Sequence, residues 1–163
     1  MIILGIDPGS IRIGYGLIKT NGGLSALDYG VIEIKRKNAA ELILKAAEEI
    51  SKLIKKYHPD MAGIEKIYFS KNVKTGIEVS QTRGAIILEI ARQKIPIKEL
   101  SPSEIKLAVT GYGLADKKAV AKMTARLLSL EKIEGFDDAS DALAIAIAAS
   151  ATRTYLNNTL DEN

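Results

Sequence analysis

Residues 2–10, Ile2-Ile3-Leu4-Gly5-Ile6-Asp7-Pro8-Gly9-Ser10, constrain this chain more than any other stretch. An apolar run ends on one aspartate, and a tight Pro-Gly-Ser corner follows. A run this apolar reads as a strand buried on both faces. An ionised carboxylate at the end of such a strand is costly to desolvate unless something positive sits beside it. No lysine or arginine precedes Arg12 in the sequence. Something encoded farther along the chain must therefore neutralise Asp7.

With 163 residues and 47% hydrophobic content, the chain is long enough for one compact domain with a full core. It has no cysteine and a single histidine, His58, which excludes disulfides, thiolate metal sites and multi-histidine zinc sites. His58 is expected to face the C-terminal dipole of a helix. The first apolar run is too short for a signal peptide or a membrane span, so a soluble cytoplasmic protein is expected. The net charge of +3 is unevenly spread. Residues 66–126 carry 12 Lys+Arg against 5 Asp+Glu, whereas the rest of the chain, taken together, is net acidic. A basic middle in a chain that is otherwise net acidic suits a polyanionic partner meeting a cluster of carboxylates.

The pattern predicts three strands joined by short turns at the start, hence an antiparallel beginning. The second strand spans Ile11 to Thr20 and contains Gly14-Tyr15-Gly16, where glycine signals close backbone approach or a bulge. Asn21-Gly22-Gly23 supplies the hairpin turn, and Leu24 to Lys35 forms the third strand. Ala39 to Tyr57 is a helix, with Leu42, Ala46, Ile50, Leu53 and Ile54 on one face. Met61 to Glu65 repeats the opening pattern, a buried strand ending on an acid. A helix followed by such a strand implies a right-handed crossover, which brings Glu65 to the same edge as Asp7. Helices are then expected over 76–94, 104–109 and 117–128, with a short strand over 96–100. A last, alanine-rich helix follows Gly135. Residues 1–153 read as one domain, with a polar tail over 154–163 that is expected to fray.

Four carboxylates stand out: Asp7, Glu65, Asp138 and Asp141. Two end buried strands, and the other two lie three apart at a helix start, on one face. Hard divalent cations such as Mg²⁺ take oxygen ligands. A pair of such ions, about 3.5–4 Å apart, can clamp the attacking and leaving oxygens of a phosphodiester. Acids drawn from separate elements to one edge fit that chemistry, and a bound cation would neutralise Asp7.

Five motifs, in this order, resemble the RuvC family of bacterial Holliday junction resolvases, in the ribonuclease H-like superfamily. They are Gly5 to Ser10, Gly14-Tyr15-Gly16, Ile64 to Asn72, Gly111-Tyr112-Gly113 with Lys117, and Asp138 to Ala146. The resemblance runs from residue 1 to about residue 150. It implies an α/β ribonuclease H-like fold, with a five-stranded mixed sheet, its first three strands antiparallel, and helices on both faces. It also implies a homodimer that nicks two strands of a four-way DNA junction symmetrically, in recombination and repair. Mg²⁺ would be required, a pair of ions per subunit, with Mn²⁺ able to substitute. Asp7, Glu65, Asp138 and Asp141 match the family's catalytic acids, and Lys106 and Lys117 match its DNA-contacting lysines. Tyr68 matches the aromatic that engages bases at the crossover, a role that neighbouring Phe69 could share. Branch-migration proteins of RuvA and RuvB type are the implied partners.

On this reading the basic middle binds phosphates, with Lys71 and Lys74 flanking the aromatic loop and Lys118 and Lys122 adding charge. Lys117 is also placed to stabilise charge that develops in the transition state. The broad apolar face of residues 77–91 is the expected dimer interface. Two other readings compete. Gly5 to Ser10 also resembles the first phosphate motif of sugar kinases and actin-like ATPases, although the chain is short for two ATP-enclosing lobes and has no Walker sequence. A non-catalytic junction-binding protein is the other, although none of the four acids is missing.

Overall fold

The computed structural model describes residues 1–35, 38–67 and 73–160, with the backbone alone for 73–74 and 152–160. Five strands form one mixed sheet in the order β3-β2-β1-β4-β5. β1 (Ile2–Pro8), β2 (Arg12–Lys19) and β3 (Ser25–Glu33) are antiparallel neighbours, while β4 (Met61–Glu65) runs parallel to β1 and β5 (Ile97–Leu100) parallel to β4. The expected fold class is the observed one.

α1 (Ala39–Tyr57) begins where the Asn38 side chain accepts the Glu41 N–H, and it ends at His58, in the left-handed region at φ 47°. Asp60 then pins the return to the sheet: its carboxylate accepts the Ile2 N–H at 2.7 Å, and its own N–H donates to the Ile2 carbonyl at 2.8 Å. That double contact sets β4 in register beside β1. α2 (Val73–Arg92) lies with α1 on one face of the sheet. The other face carries α5 (Asp137–Leu160), flanked by α3 (Pro102–Thr110) and α4 (Lys117–Leu127).

Strand alternation divides the core between these faces. Leu4, Ile6, Ala62 and Ile64 pack towards α1 and α2, whereas Ile3 and Met61 pack towards α5. Gly16, Gly5 and Gly63 are register partners across the three central strands. A Cβ on Gly5 would lie 2.0 Å from the Ala142 carbonyl oxygen, so this track of missing side chains lets α5 lie directly on the sheet. α5 runs on through Leu160, past residue 154, where the polar composition predicts fraying. α2 starts at Val73, three residues before the expected position. Among the described residues no helix is long and apolar enough to cross a membrane.

Candidate active site

The same alternation that puts Gly5 and Gly63 against α5 puts Asp7 and Glu65 on that face, two residues farther along each strand. The parallel register of β1 and β4 ends with Ile6 opposite Ile64, so the two acids stand side by side one step beyond it. α5 begins at this edge. A Cβ on Gly14 would lie 2.0 Å from the Asp138 carbonyl oxygen, so the first turn of α5 is pressed onto β2 and carries Asp138 and Asp141 to the site.

Electrostatics show how closely the four acids are grouped. Burial first, then repulsion from Asp141, Glu65 and Asp138, together push the Asp7 carboxyl up from its ordinary 3.8 to about 7, against the pull of Lys117. Glu65 is raised by burial and by Asp141, and Lys106 pulls it back. Asp141 is raised by burial, against a hydrogen bond and attraction from Lys117. Lys117 Nζ lies 3.0 Å from Asp141 and 3.4 Å from Asp137. Partial burial would lower the Lys117 pKa, but these carboxylates outweigh it and raise it.

The ends of β1 and β4 together with α2, α3, α4 and α5 form the cleft walls. Glu65, Lys106, Lys117 and Asp141 line one pocket with Pro102 and Ile105, and Asp7, Glu65 and Lys66 line a second with Pro8 and Val79. α3 is fixed at its start by a capping box, in which Ser101 and Glu104 satisfy each other's backbone N–H groups. Arg83 Nε donates to the Glu65 carbonyl at 3.0 Å while its guanidinium pairs with Glu99, which ties α2 to the strand end that carries the acid.

The donor set suits a hard cation: oxygen ligands only, drawn from β1, β4 and α5, and crowded enough to resist ionising together. Among the described residues, no three of these side chains already close on a common point as a ready-made cation cage. Lys117 meanwhile supplies the positive charge nearest Asp141.

The expected residues are thus partly gathered. Asp7, Glu65, Asp138, Asp141, Lys106 and Lys117 share one edge. Lys118 is exposed at the start of α4 and lines neither pocket, and Lys122 lines a separate groove with Arg126, Lys132 and Phe136. Tyr68, Phe69 and Lys71 lie outside the described residues, as does the side chain of Lys74. Sequence reasoning missed Arg83, Asp137 and the pairing of Arg12 with Asp138 at 3.4 Å. The shared parity of Arg12, Gly14 and Gly16 on β2 was a usable signal for Arg12. Nothing in the helical pattern of α2 marks Arg83.

A family model described as "Crossover junction endodeoxyribonuclease RuvC" matches residues 3–149. The crossover junction endodeoxyribonuclease RuvC of Petrotoga mobilis is 44% identical over 160 residues, 97% of this chain and 98% of that protein. Among solved structures, Thermus thermophilus RuvC in complex with a Holliday junction substrate is similar with a TM-score of 0.88 and 25% identity, covering 94% of this chain and 96% of that one. The yeast mitochondrial Holliday junction resolvase shares the fold, with a TM-score of 0.68 at 14% identity, over 98% of this chain and 85% of that one.

Proposed function

The chain belongs to the RuvC family, and from that premise we propose that it is a structure-specific endonuclease that resolves four-way DNA junctions by nicking two strands symmetrically, with divalent metal, in recombination and repair. The observation that carries this reading is the meeting of Asp7, Glu65, Asp138 and Asp141 at one edge and on one face of the sheet, where burial and mutual repulsion hold the Asp7 pKa near 7. The relative from Thermus thermophilus is described in complex with a Holliday junction substrate, which supports junction DNA as the substrate here.

The roles follow from position. Asp7 ends the central strand, with Glu65 beside it and the start of α5 above, so it would be the central ligand for a pair of Mg²⁺ ions, with Mn²⁺ able to substitute. Glu65 and Asp141 complete the ligand set. Asp138 serves from the outer edge as ligand or base. Cations held there would supply Lewis-acid activation of water and stabilisation of the leaving oxygen. Lys117 exchanges part of its hold on Asp141 for the scissile phosphate and stabilises the charge that develops there. Lys106 positions the phosphate from the Glu65 side of the cleft. Lys71, Lys74, Lys118 and Lys122 extend the basic track along the DNA, and Tyr68 and Phe69 engage the crossover bases.

Residues 1–153 act as one nuclease domain, with 154–163 as its extension. Symmetric nicking requires two sites related by a two-fold axis, which a homodimer provides. Ile77 and Leu88 on α2, with Leu44 on neighbouring α1, are exposed apolar residues on the helical face away from the acids, and they support an interface there. Branch-migration proteins of RuvA and RuvB type would deliver the junction, in the cytoplasm.

The test is a labelled four-way junction incubated with the protein, with and without Mg²⁺. Paired nicks at symmetric positions, absent in EDTA and absent on linear duplex, are the expected outcome. Equal cutting of duplex and junction, or no cutting with Mg²⁺ or Mn²⁺, would overturn the proposal.

A further inference from the structure

Arg12 reaches the start of α5 from the sheet beneath it. Alternation along β2 puts it on the face of Gly14 and Gly16, the face on which α5 lies. Its guanidinium then bridges the helix start. The guanidinium carbon lies 4.6 Å from the ring centroid of Phe136, the residue before α5, and Nε lies 3.4 Å from Asp138 Oδ2 in the first helical turn.

The two contacts do different work. A guanidinium stacked on a ring is restrained in its plane, so its Nε–H has a fixed direction in which to point. Asp138 is a short side chain, 31% exposed at the rim of the site, and without a partner it would sample several rotamers. Lys117 makes the matching contact to Asp141 from α4. The two acids of α5 are therefore held by separate cations on separate elements, and the hold on Asp138 comes from the same strand that supports the helix start through Gly14.

We propose that Arg12, braced on Phe136, is a positioning residue that fixes the Asp138 carboxylate in the orientation the nuclease reaction uses. This rests on the function proposed above. Partners that orient a ligating side chain typically matter by 10-fold to 100-fold when removed, about the effect expected here. Arg12 engages the protein through its ring-facing side and its Nε, and a phosphate contact made instead through its Nη groups would show as a defect in junction affinity.

The experiment uses the full chain and five proteins: wild type, Arg12→Gln, Arg12→Lys, Phe136→Leu and Asp138→Asn. Single-turnover nicking at saturating protein is read beside junction affinity in EDTA and thermal stability. Arg12→Gln should slow nicking about 10-fold or more while affinity and melting temperature stay close to wild type. Arg12→Lys should recover part of the rate, and Phe136→Leu should fall between. A second readout needs no activity: the Arg12 Nε–H resonance, identified by its loss in Arg12→Lys, should shift in Phe136→Leu and again in Asp138→Asn. Failure of wild type to nick junctions would overturn the function while leaving this resonance test standing. An Arg12→Gln rate within twofold of wild type, a defect confined to junction affinity, or a resonance indifferent to both substitutions would each overturn the positioning role.

Discussion

Gly14 and the Asp138 carbonyl are so close that a Cβ on the glycine would lie 2.0 Å from the oxygen. The placement of two of the four proposed catalytic acids therefore depends on a missing side chain in a neighbouring strand. Gly14→Ala must lift the first turn of α5, because the obstacle is backbone and cannot swing aside. We expect a loss of about 3 kcal/mol or more in stability, at the upper end of overpacking effects. Nicking should be abolished even at temperatures where the variant is folded. Urea unfolding and junction cleavage measure the two consequences separately.

The raised pKa of Asp7 sets the sign of a pH effect. The unfolded carboxyl titrates near 3.8 and the folded one near 7, so between these values the folded state binds more protons. Stability without metal must therefore fall as pH rises from about 4 to 7, and the full penalty persists above 7. Asp7→Asn removes it. The variant should match wild type near pH 4 and be more stable by roughly 2–4 kcal/mol at pH 8 in EDTA. Adding Mg²⁺ at pH 8 should narrow that gap by stabilising wild type. Melting curves across pH provide the comparison.

Lys117 stands 3.0 Å from Asp141, and its ammonium is assigned to transition-state charge. Lys117→Met should reduce single-turnover nicking about 100-fold, the scale for losing one preorganised donor. Junction affinity should weaken only slightly, and the dependence of binding on salt should drop by about one phosphate contact. A variant that nicks normally at saturation would show that Lys117 only binds.

The exposed Ile77 and Leu88 on α2 mark the assigned dimer face. Ile77→Glu with Leu88→Glu should give a monomer in sedimentation equilibrium that still folds. Its nicks should lose their pairing, one strand being cut without its symmetric partner. A wild-type monomer at micromolar concentration would contradict the assignment.

Much of this site could be read from the chain because strands announce their ends. The apolar runs ending on Asp7 and Glu65 fix two strand termini, and the helix between them forces both to one edge. The facing of those acids follows from alternation with Gly5 and Gly63. The links between elements were not legible. That Lys117 meets Asp141, that Arg12 meets Asp138 and that Arg83 holds the Glu65 carbonyl depend on how α2, α4 and α5 dock. Element ends were misread where local cues mislead. Gly76 reads as a helix start although α2 already runs through it, and the polar segment after residue 153 stays helical because no glycine or proline interrupts α5 before Leu160.

The four gathered acids are proposed to make a metal-dependent cutting site on a junction-binding protein. Asp7→Asn tests this role most directly, through junction binding in EDTA and nicking in Mg²⁺ measured on one preparation. The variant should bind as tightly as wild type, or more tightly because a negative charge near the DNA is gone, with no detectable nicks. Retained nicking by Asp7→Asn at a rate near wild type would contradict that role.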